Sequence, residues 1–226
     1  QVQGFKPETH FSDSEMPLLD RHVQFALVAA REAVADAGLS PEELKSAAAV
    51  IGTGCGGKDT DEITYQRLYK ENKSRVHPVT IPRGMPCAAA GQISMQMGIT
   101  GPVFTVSSAC ASANHSVSQA VMLIRSGLAD VAVAGGADAP FTFGLIKAWE
   151  AMRVLAKDTC RPFSADRSGM VLGEGAGMVV LESLDHARSR GARIHAELAG
   201  IGMSSDAGHI TDPSVEGALR AMTSAL

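Results

Sequence analysis

Cys110 carries the strongest chemical signal in the sequence. It follows an apolar strand-like run, Pro102 to Val106, across the small residues Ser107-Ser108-Ala109, and a pattern with helical periodicity continues from it to Ser126. Backbone NH groups and the helix dipole at such a junction can stabilise negative charge on the sulfur or on a developing oxyanion. The pattern is that of a nucleophile elbow with Cys in place of Ser. It also suits a small buried thiol with a packing role.

A glycine-rich segment, Gly52 to Gly57, fits the G-x-G-x-x-G pattern of dinucleotide-binding turns and follows a predicted strand. The acidic run from Asp59 to Glu62 would lie where a pyrophosphate meets a helix N-terminus, which argues against that function. As a P-loop the segment also fails, because Asp59 stands where Ser or Thr must bind magnesium and its carboxylate would repel a triphosphate. The glycines therefore indicate close backbone packing at a strand exit.

The histidines and the other cysteines supply no obvious partner for Cys110. His115 follows Cys110 by five residues, which is about 140° around a helix, so we expect it to have a structural role. His209 lies in a polar loop and has some potential for a site. The four cysteines form no CxxC pair, so the sequence predicts neither a zinc site nor a disulfide framework.

The elements that must position these residues have an α/β pattern. Strand, turn, helix and strand follow one another between Pro102 and Ala134, which is the βαβ unit of a parallel sheet. The helices are predicted at 20–37, from Ser40, and at 88–97, 110–126, 183–190 and 213–226. The strands are predicted at 47–51, 102–106, 130–134 (closed by Gly135 and Gly136), 173–181 and 194–201, with a long basic loop at 72–86.

The composition excludes some classes of function. With 226 residues, 45% of them hydrophobic, and a net charge of −4, the chain is globular and is not a strongly basic nucleic-acid binder. No run approaches the roughly 20 apolar residues of a membrane span, and no signal-peptide layout is present. Because the cysteines predict no disulfide framework, the reducing cytoplasm is the expected compartment. We expect one domain over residues 1–226 that is incomplete at both ends, because it opens without a strand and stops inside a helix.

Several segments occur in an order specific to one family. They are residues 98–102, 107–112, 124–127, 133–138, 160–169, 171–177 and 202–206. Together they resemble the β-ketoacyl-ACP synthases, in particular the KAS II branch of the thiolase-fold condensing enzymes and its variant related to nodulation-type synthases. The resemblance implies a layered αβαβα sandwich of two similar halves, of which this chain would be the first half and the beginning of the second.

The resemblance also implies the chemistry. Cys110 maps onto the nucleophile that takes the acyl chain as a thioester, and its own NH would be one oxyanion donor. Malonyl-ACP is then decarboxylated, and the resulting carbanion attacks the thioester. The family's two catalytic histidines and its lysine belong to motifs of the second half that do not occur here. The chemistry implies no cofactor and no metal.

Further roles follow from the same resemblance. Cys55 matches a pocket-lining position that usually holds a larger aliphatic residue, so acyl-chain acceptance would differ. Thr80, Ala109 and Trp149 match other substrate-pocket positions, and Thr80 would reach in from the second subunit of a homodimer. Arg75 and Arg153 match positions that meet acyl carrier protein, and the basic loop from Lys73 to Arg83 suits an acidic partner.

Two alternatives stay open from the sequence. One is a thiolase-fold relative that uses a CoA thioester. The other is a non-catalytic or partner-dependent half-synthase, similar to a chain-length factor. Such subunits typically lose the nucleophilic cysteine, so Cys110 argues against that role, whereas the absence of the catalytic histidines argues partly for it.

Overall fold

The computed structural model describes residues 1–226. Its helices are α1 (Arg21–Ala37), α2 (Pro41–Lys45), α3 (Lys58–Tyr65), α4 (Thr80–Gly84), α5 (Ala88–Met97), α6 (Ser112–Arg125), α7 (Phe143–Ala151), α8 (Leu184–Ser189) and α9 (Val215–Ala225). Its strands are β1 (Ala48–Gly52), β2 (Val103–Val106), β3 (Val131–Asp138) and β4 (Gly175–Glu182). Short 3₁₀ turns lie at Pro7–Thr9 and Met16–Leu18, and a π-helical turn at Gln66–Lys70 extends α3.

The strands form one mixed sheet in the order β2-β1-β3-β4. β1 lies between β2 and β3 and is parallel to both, whereas β4 pairs antiparallel with β3. The predicted βαβ unit is confirmed as β2–α6–β3, and its crossover steps over β1. The carboxyl ends of β1, β2 and β3 therefore meet at one edge of the sheet, where ligands bind in open α/β sheets.

Side chains alternate between the two faces of the sheet and build a core on each. Ala49, Ile51 and Val133 pack with residues of α1 and α5, including Leu27 and Ile93. On the other face the core consists of β1 and β3 residues packed with α6: Ala48, Val50, Ala132, Ala134 and Ala120, together with Ala129. The many alanines let the helices lie close to the sheet, which explains how a chain poor in aromatic residues fills its interior.

Local signals determine several helix ends. Asp20 accepts a hydrogen bond from the His22 NH and begins α1, and Gly38, at φ +65°, ends it. Ser40 and Glu43 form a reciprocal capping box at the start of α2. These boundaries match the sequence prediction, because each depends only on residues within one helical turn.

Four predictions of secondary structure were wrong. Gly135 and Gly136 continue β3 instead of closing it, because they pair with Met178 and Gly177 of β4. The segment 194–201 forms no strand, since no strand of the chain supplies it with a hydrogen-bonded neighbour. The loop 72–86 contains α4, and α6 begins at Ser112, two residues after Cys110.

None of the helices has both the length and the apolar character that crossing a bilayer requires.

Candidate active site

Cys110 lies in a tight turn between β2 and α6, at the carboxyl edge of the sheet. Ala109, immediately before it, has φ +51°, the left-handed conformation that non-glycine residues adopt at a cost of about 1–3 kcal/mol. The thiol is exposed, and the Cys110 NH donates to no other atom of the chain. The turn therefore presents a sulfur and a free NH donor together, as a nucleophile elbow does.

Ser112 and His115 hold this elbow from the first turns of α6. Ser112 Oγ accepts a hydrogen bond from the Ser108 NH at 2.9 Å and donates to the Ala109 carbonyl oxygen at 2.6 Å. His115 Nδ1 lies 2.6 Å from Ser108 Oγ. His115 thus supports the turn and has the structural role expected from its spacing.

Glycines let the elbow approach the sheet. A Cβ on Gly52 would overlap the carbonyl group of Ser112 and lie 2.6 Å from the Ala113 nitrogen. A Cβ on Gly136 would lie 2.8 Å from the Ala113 Cβ. Any side chain at either position would push α6 outwards, so the glycine at the end of β1 has the close-packing role that the sequence indicated.

Asp138, the last residue of β3, occupies the hydrogen-bond donors of the turn after β1. Its carboxylate accepts from Thr53 Oγ1 at 2.9 Å, from the Gly54 NH at 3.0 Å and from the Cys55 NH at 2.9 Å. An internal anion therefore fills the position where a phosphate would bind, which agrees with the rejection of a nucleotide site. The sequence analysis assigned Asp138 no role, although the parallel pairing of β1 and β3 brings their carboxyl ends together.

Cys55 shares the electrostatic environment of Cys110. The Cys55 thiol is half-buried, and burial raises its pKa above the usual range, as do the nearby Asp138 carboxylate and, more weakly, Cys110. Lys58 acts in the opposite direction. The structure thus brings Cys55 and Ala109 to the same side of the sheet as Cys110.

The other predicted residues lie elsewhere on the chain. Thr80 starts α4 and lines a cavity of about 40 Å³ between α3 and α4, whose lining does not include Cys110. Trp149 lies half-buried on α7, whose first NH groups donate to the Glu62 carboxylate. Arg75 and Arg153 are exposed, Arg75 in the loop before α4 and Arg153 after α7.

The family model described as "Beta-ketoacyl synthase, N-terminal domain" matches residues 1–187. The chain belongs to the β-ketoacyl synthase family. It is 52% identical over 222 residues to nodulation protein E of Rhizobium sp. (strain N33), covering 97% of this chain and 55% of that protein. It is 40% identical over 235 residues to 3-oxoacyl-[acyl-carrier-protein] synthase 2 of Staphylococcus aureus, covering 100% of this chain and 58% of that protein.

A solved structure, the ishigamide ketosynthase/chain length factor, superimposes with a TM-score of 0.91 at 38% identity, covering 100% of this chain and 57% of that one. The fold is therefore the thiolase-like ketosynthase fold, present as its N-terminal half. The chain spans a little over half the length of the relatives it matches. The single mixed sheet with helices on both faces accounts for one half of the layered sandwich expected from the sequence.

Proposed function

We propose that the protein is a 3-oxoacyl-[acyl-carrier-protein] synthase in which Cys110 receives the acyl chain. The observation that carries this proposal is the exposed Cys110 thiol on a left-handed elbow, beside its own unpaired NH. A thiol in this position can attack a thioester carbonyl while the NH stabilises the oxyanion.

The proposed reaction has two stages. In the first, the Cys110 sulfur bonds to the acyl carbonyl carbon, the carrier's C–S bond breaks, and the released thiol takes up the proton from Cys110. In the second, malonyl-ACP loses carbon dioxide, and its carbanion bonds to the acyl carbonyl carbon. The C–S bond to Cys110 then breaks, which gives a 3-oxoacyl-ACP and the Cys110 thiolate, and the thiolate takes up a proton. The groups that assist decarboxylation in the family belong to motifs outside these residues.

Substrate and partner contacts follow from the same family membership. Cys55, Ala109 and Trp149 would line the acyl pocket, with Thr80 contributed by the second subunit of a homodimer. The position of Thr80 in a cavity without Cys110 fits a residue that serves the partner's site. Arg75 and Arg153 are exposed, as carrier-protein contacts must be. We place the reaction in the cytoplasm, where a thiol nucleophile stays reduced.

We further infer that residues 1–226 form a single domain, because the two hydrophobic cores lie on opposite faces of the same sheet. β1 supplies residues to both cores and so joins them.

A chain-length-factor-like subunit is the second candidate, because a matched structure is described as a ketosynthase/chain length factor. A CoA-dependent relative is a third. The presence of Cys110 on a formed elbow favours the condensing enzyme over a subunit without a nucleophile.

Intact-mass measurement after incubation with an acyl-ACP donor tests the proposal. We expect one acyl increment, mapped to Cys110 by peptide analysis, that disappears in Cys110→Ser. Cys87→Ser serves as the matched control, because Cys87 is also an exposed thiol and lies at the start of α5. An increment that survives Cys110→Ser would overturn the assignment.

Two further measurements separate the other candidates. Production of 3-oxoacyl-ACP from malonyl-ACP by the whole protein distinguishes a synthase from a subunit without condensing activity. A comparison of acyl-ACP with acyl-CoA donors distinguishes the CoA-dependent relative.

A further inference from the structure

Asp138 makes an unusual set of contacts for a carboxylate beside a nucleophile. It accepts hydrogen bonds from one hydroxyl and two backbone NH groups, those of Thr53, Gly54 and Cys55. Asp138 takes part in no ion pair of the chain. The groups that bond to this carboxylate are therefore oriented dipoles, and its charge acts on the Cys55 thiol nearby.

The turn that Asp138 holds is joined directly to the elbow. Thr53 Oγ1, while donating to Asp138, accepts from the Gly56 NH at 3.0 Å, and the Thr53 carbonyl oxygen lies 3.2 Å from Ser112 Oγ. A Cβ on Gly54 would lie 3.4 Å from the Ala109 carbonyl oxygen. The carboxylate at the end of β3 thus fixes the turn after β1 against the residue that precedes Cys110.

Two thiols then share one site, and only one of them can usefully carry the acyl chain. A thiolate at Cys55 would compete with Cys110 for the acyl thioester. The acyl group would then lie on a residue whose oxyanion the Cys110 NH does not stabilise. Burial first, and then the Asp138 carboxylate, raise the pKa of Cys55 and so disfavour its thiolate form. The charged or titratable groups acting on Cys55 are Asp138, Lys58 and Cys110, and Lys58 is the one that opposes this effect.

We propose that Asp138 is a positioning residue of the acyl site: its carboxylate holds the Thr53–Cys55 turn against the Cys110 elbow and places a negative charge beside Cys55, so that Cys110 alone is acylated. The second half of this statement, which concerns acylation, rests on the proposed function. The first half concerns the turn and the thiol, and it can be tested without any acyl donor.

The first test measures how the alkylation rate of Cys55 by iodoacetamide depends on pH. It uses the full chain with Cys110→Ser, and peptide mass spectrometry resolves Cys55 from the exposed Cys87 and Cys160. Asp138→Asn keeps the shape of the side chain and removes its charge, so the midpoint of the rate profile should fall by about half a pH unit or more. Asp138→Glu keeps the charge, so its midpoint should stay closer to that of the parent than the midpoint of Asp138→Asn does, although its longer side chain displaces the turn.

Thr53→Val is the matched control for loosening of the turn. It removes the hydroxyl that bonds to Asp138 and leaves the carboxylate in place. Its midpoint should also stay near the parent value. A shift as large as that of Asp138→Asn would show that packing of the turn, not the charge, sets the reactivity of Cys55, and would overturn the proposal. An unchanged midpoint in Asp138→Asn would overturn it equally.

The second test restores Cys110 and supplies an acyl-ACP donor. In the parent we expect acylation at Cys110 alone, whereas Asp138→Asn should carry a measurable fraction of the acyl group on Cys55. Asp138→Glu, whose longer side chain displaces the turn, should acylate Cys110 about tenfold more slowly without acylating Cys55. If Asp138→Asn does not fold, this variant decides the proposal, and an unchanged rate at Cys110 would count against a positioning role.

The two tests separate the failure of this inference from the failure of the proposed function. If the protein transfers no acyl group, the parent shows no increment on any cysteine, yet the alkylation profiles of Cys55 still respond to Asp138. If Asp138 has no such role, the profiles coincide while Cys110 is still acylated.

Discussion

Gly52 and Ser112 meet backbone to backbone where β1 ends and α6 begins. A Cβ on Gly52 would overlap the carbonyl carbon and oxygen of Ser112. Because Ser112 Oγ in turn bonds to the Ala109 carbonyl oxygen, this contact places the elbow of Cys110 on the edge of the sheet. The position of the nucleophile therefore depends on the absence of a side chain 58 residues earlier in the sequence.

Gly52→Ala should destabilise the protein. The new methyl group meets backbone atoms that cannot rotate away, and overpacking of this kind costs about 2–3 kcal/mol. Urea denaturation measures the change in the free energy of unfolding. Gly91→Ala is the matched control, because a Cβ on Gly91 within α5 meets nothing within 4 Å, and it should stabilise the helix by about 0.5–1 kcal/mol. Equal stabilities for the two variants would contradict the packing argument.

Ser112→Ala should slow acylation of Cys110 about tenfold while the protein stays folded. The substitution removes the hydroxyl that links Ser108 and Ala109 and leaves the turn less firmly oriented. Stopped-flow or quenched mass measurements with an acyl donor give the rate. Ser118→Ala is the control on the same helix, since Ser118 Oγ bonds only to the Asn114 carbonyl oxygen. Its acylation rate should equal that of the parent, and a comparable loss there would point to a general effect on α6.

Glu174→Gln should lower stability at neutral pH by about 2 kcal/mol. The Glu174 side chain is shielded from solvent and accepts from Arg21 at 2.7 and 2.8 Å and from the Val2 NH at 2.9 Å. The hydrogen bonds from Arg21 lower the pKa of Glu174. Its contribution is therefore complete above the ordinary carboxyl pKa of about 4.3 and disappears as the pH falls through the lowered folded-state value.

Unfolding measured at pH 7 and at about pH 2–3, well below the ordinary carboxyl pKa, checks this prediction. The difference between parent and Glu174→Gln should be largest at pH 7 and should shrink as the pH is lowered. Glu150→Gln is the control, because the Glu150–Lys147 pair is about half exposed on both sides and contributes little. A difference that is independent of pH would mean that the ionised state of Glu174 does not matter.

Arg75→Glu and Arg153→Glu should each reduce kcat/KM for acyl-ACP about three- to tenfold, with a smaller effect at high salt. The kcat/KM for a small acyl thioester should not change, because docking of the acidic carrier is not involved. Arg188→Glu is the control. Arg188 is exposed on α8, the helix that follows β4. β4 ends at Glu182, which pairs with Val131, the first residue of β3, so α8 begins at the edge of the sheet opposite to Cys110. A loss of the same size in that variant would indicate an effect of net charge alone.

The sequence predicted the elements whose signals are local. The helix from Arg21 to Ala37 has its cap in Asp20 and its terminator in Gly38, and the capping box of α2 lies within four residues. The strand–turn–helix pattern around Cys110 indicated a candidate nucleophile there and, with the ordered motifs, the family. In each case the interacting groups are separated by a few residues, so their types and spacing suffice.

The pairing of distant segments could not be predicted in this way. That β3 runs through Gly135 and Gly136 depends on its partner β4, and the absence of a strand at 194–201 depends on the lack of any such partner. The fact that Asp138 holds the turn after β1 became visible only when the parallel strands were placed in register, with Gly52 beside Gly136.

The sequence by itself thus determined the helix ends, the α/β pattern and the identity of Cys110 as the candidate nucleophile. Only the tertiary structure decided what surrounds that nucleophile: Gly52 beneath it, Ser112 and His115 behind it, and Cys55 with Asp138 beside it. The physical reason is the sequence separation of the groups that interact. Caps and turns are satisfied by neighbours in the chain, whereas a sheet edge brings together residues from strands that are more than 80 positions apart.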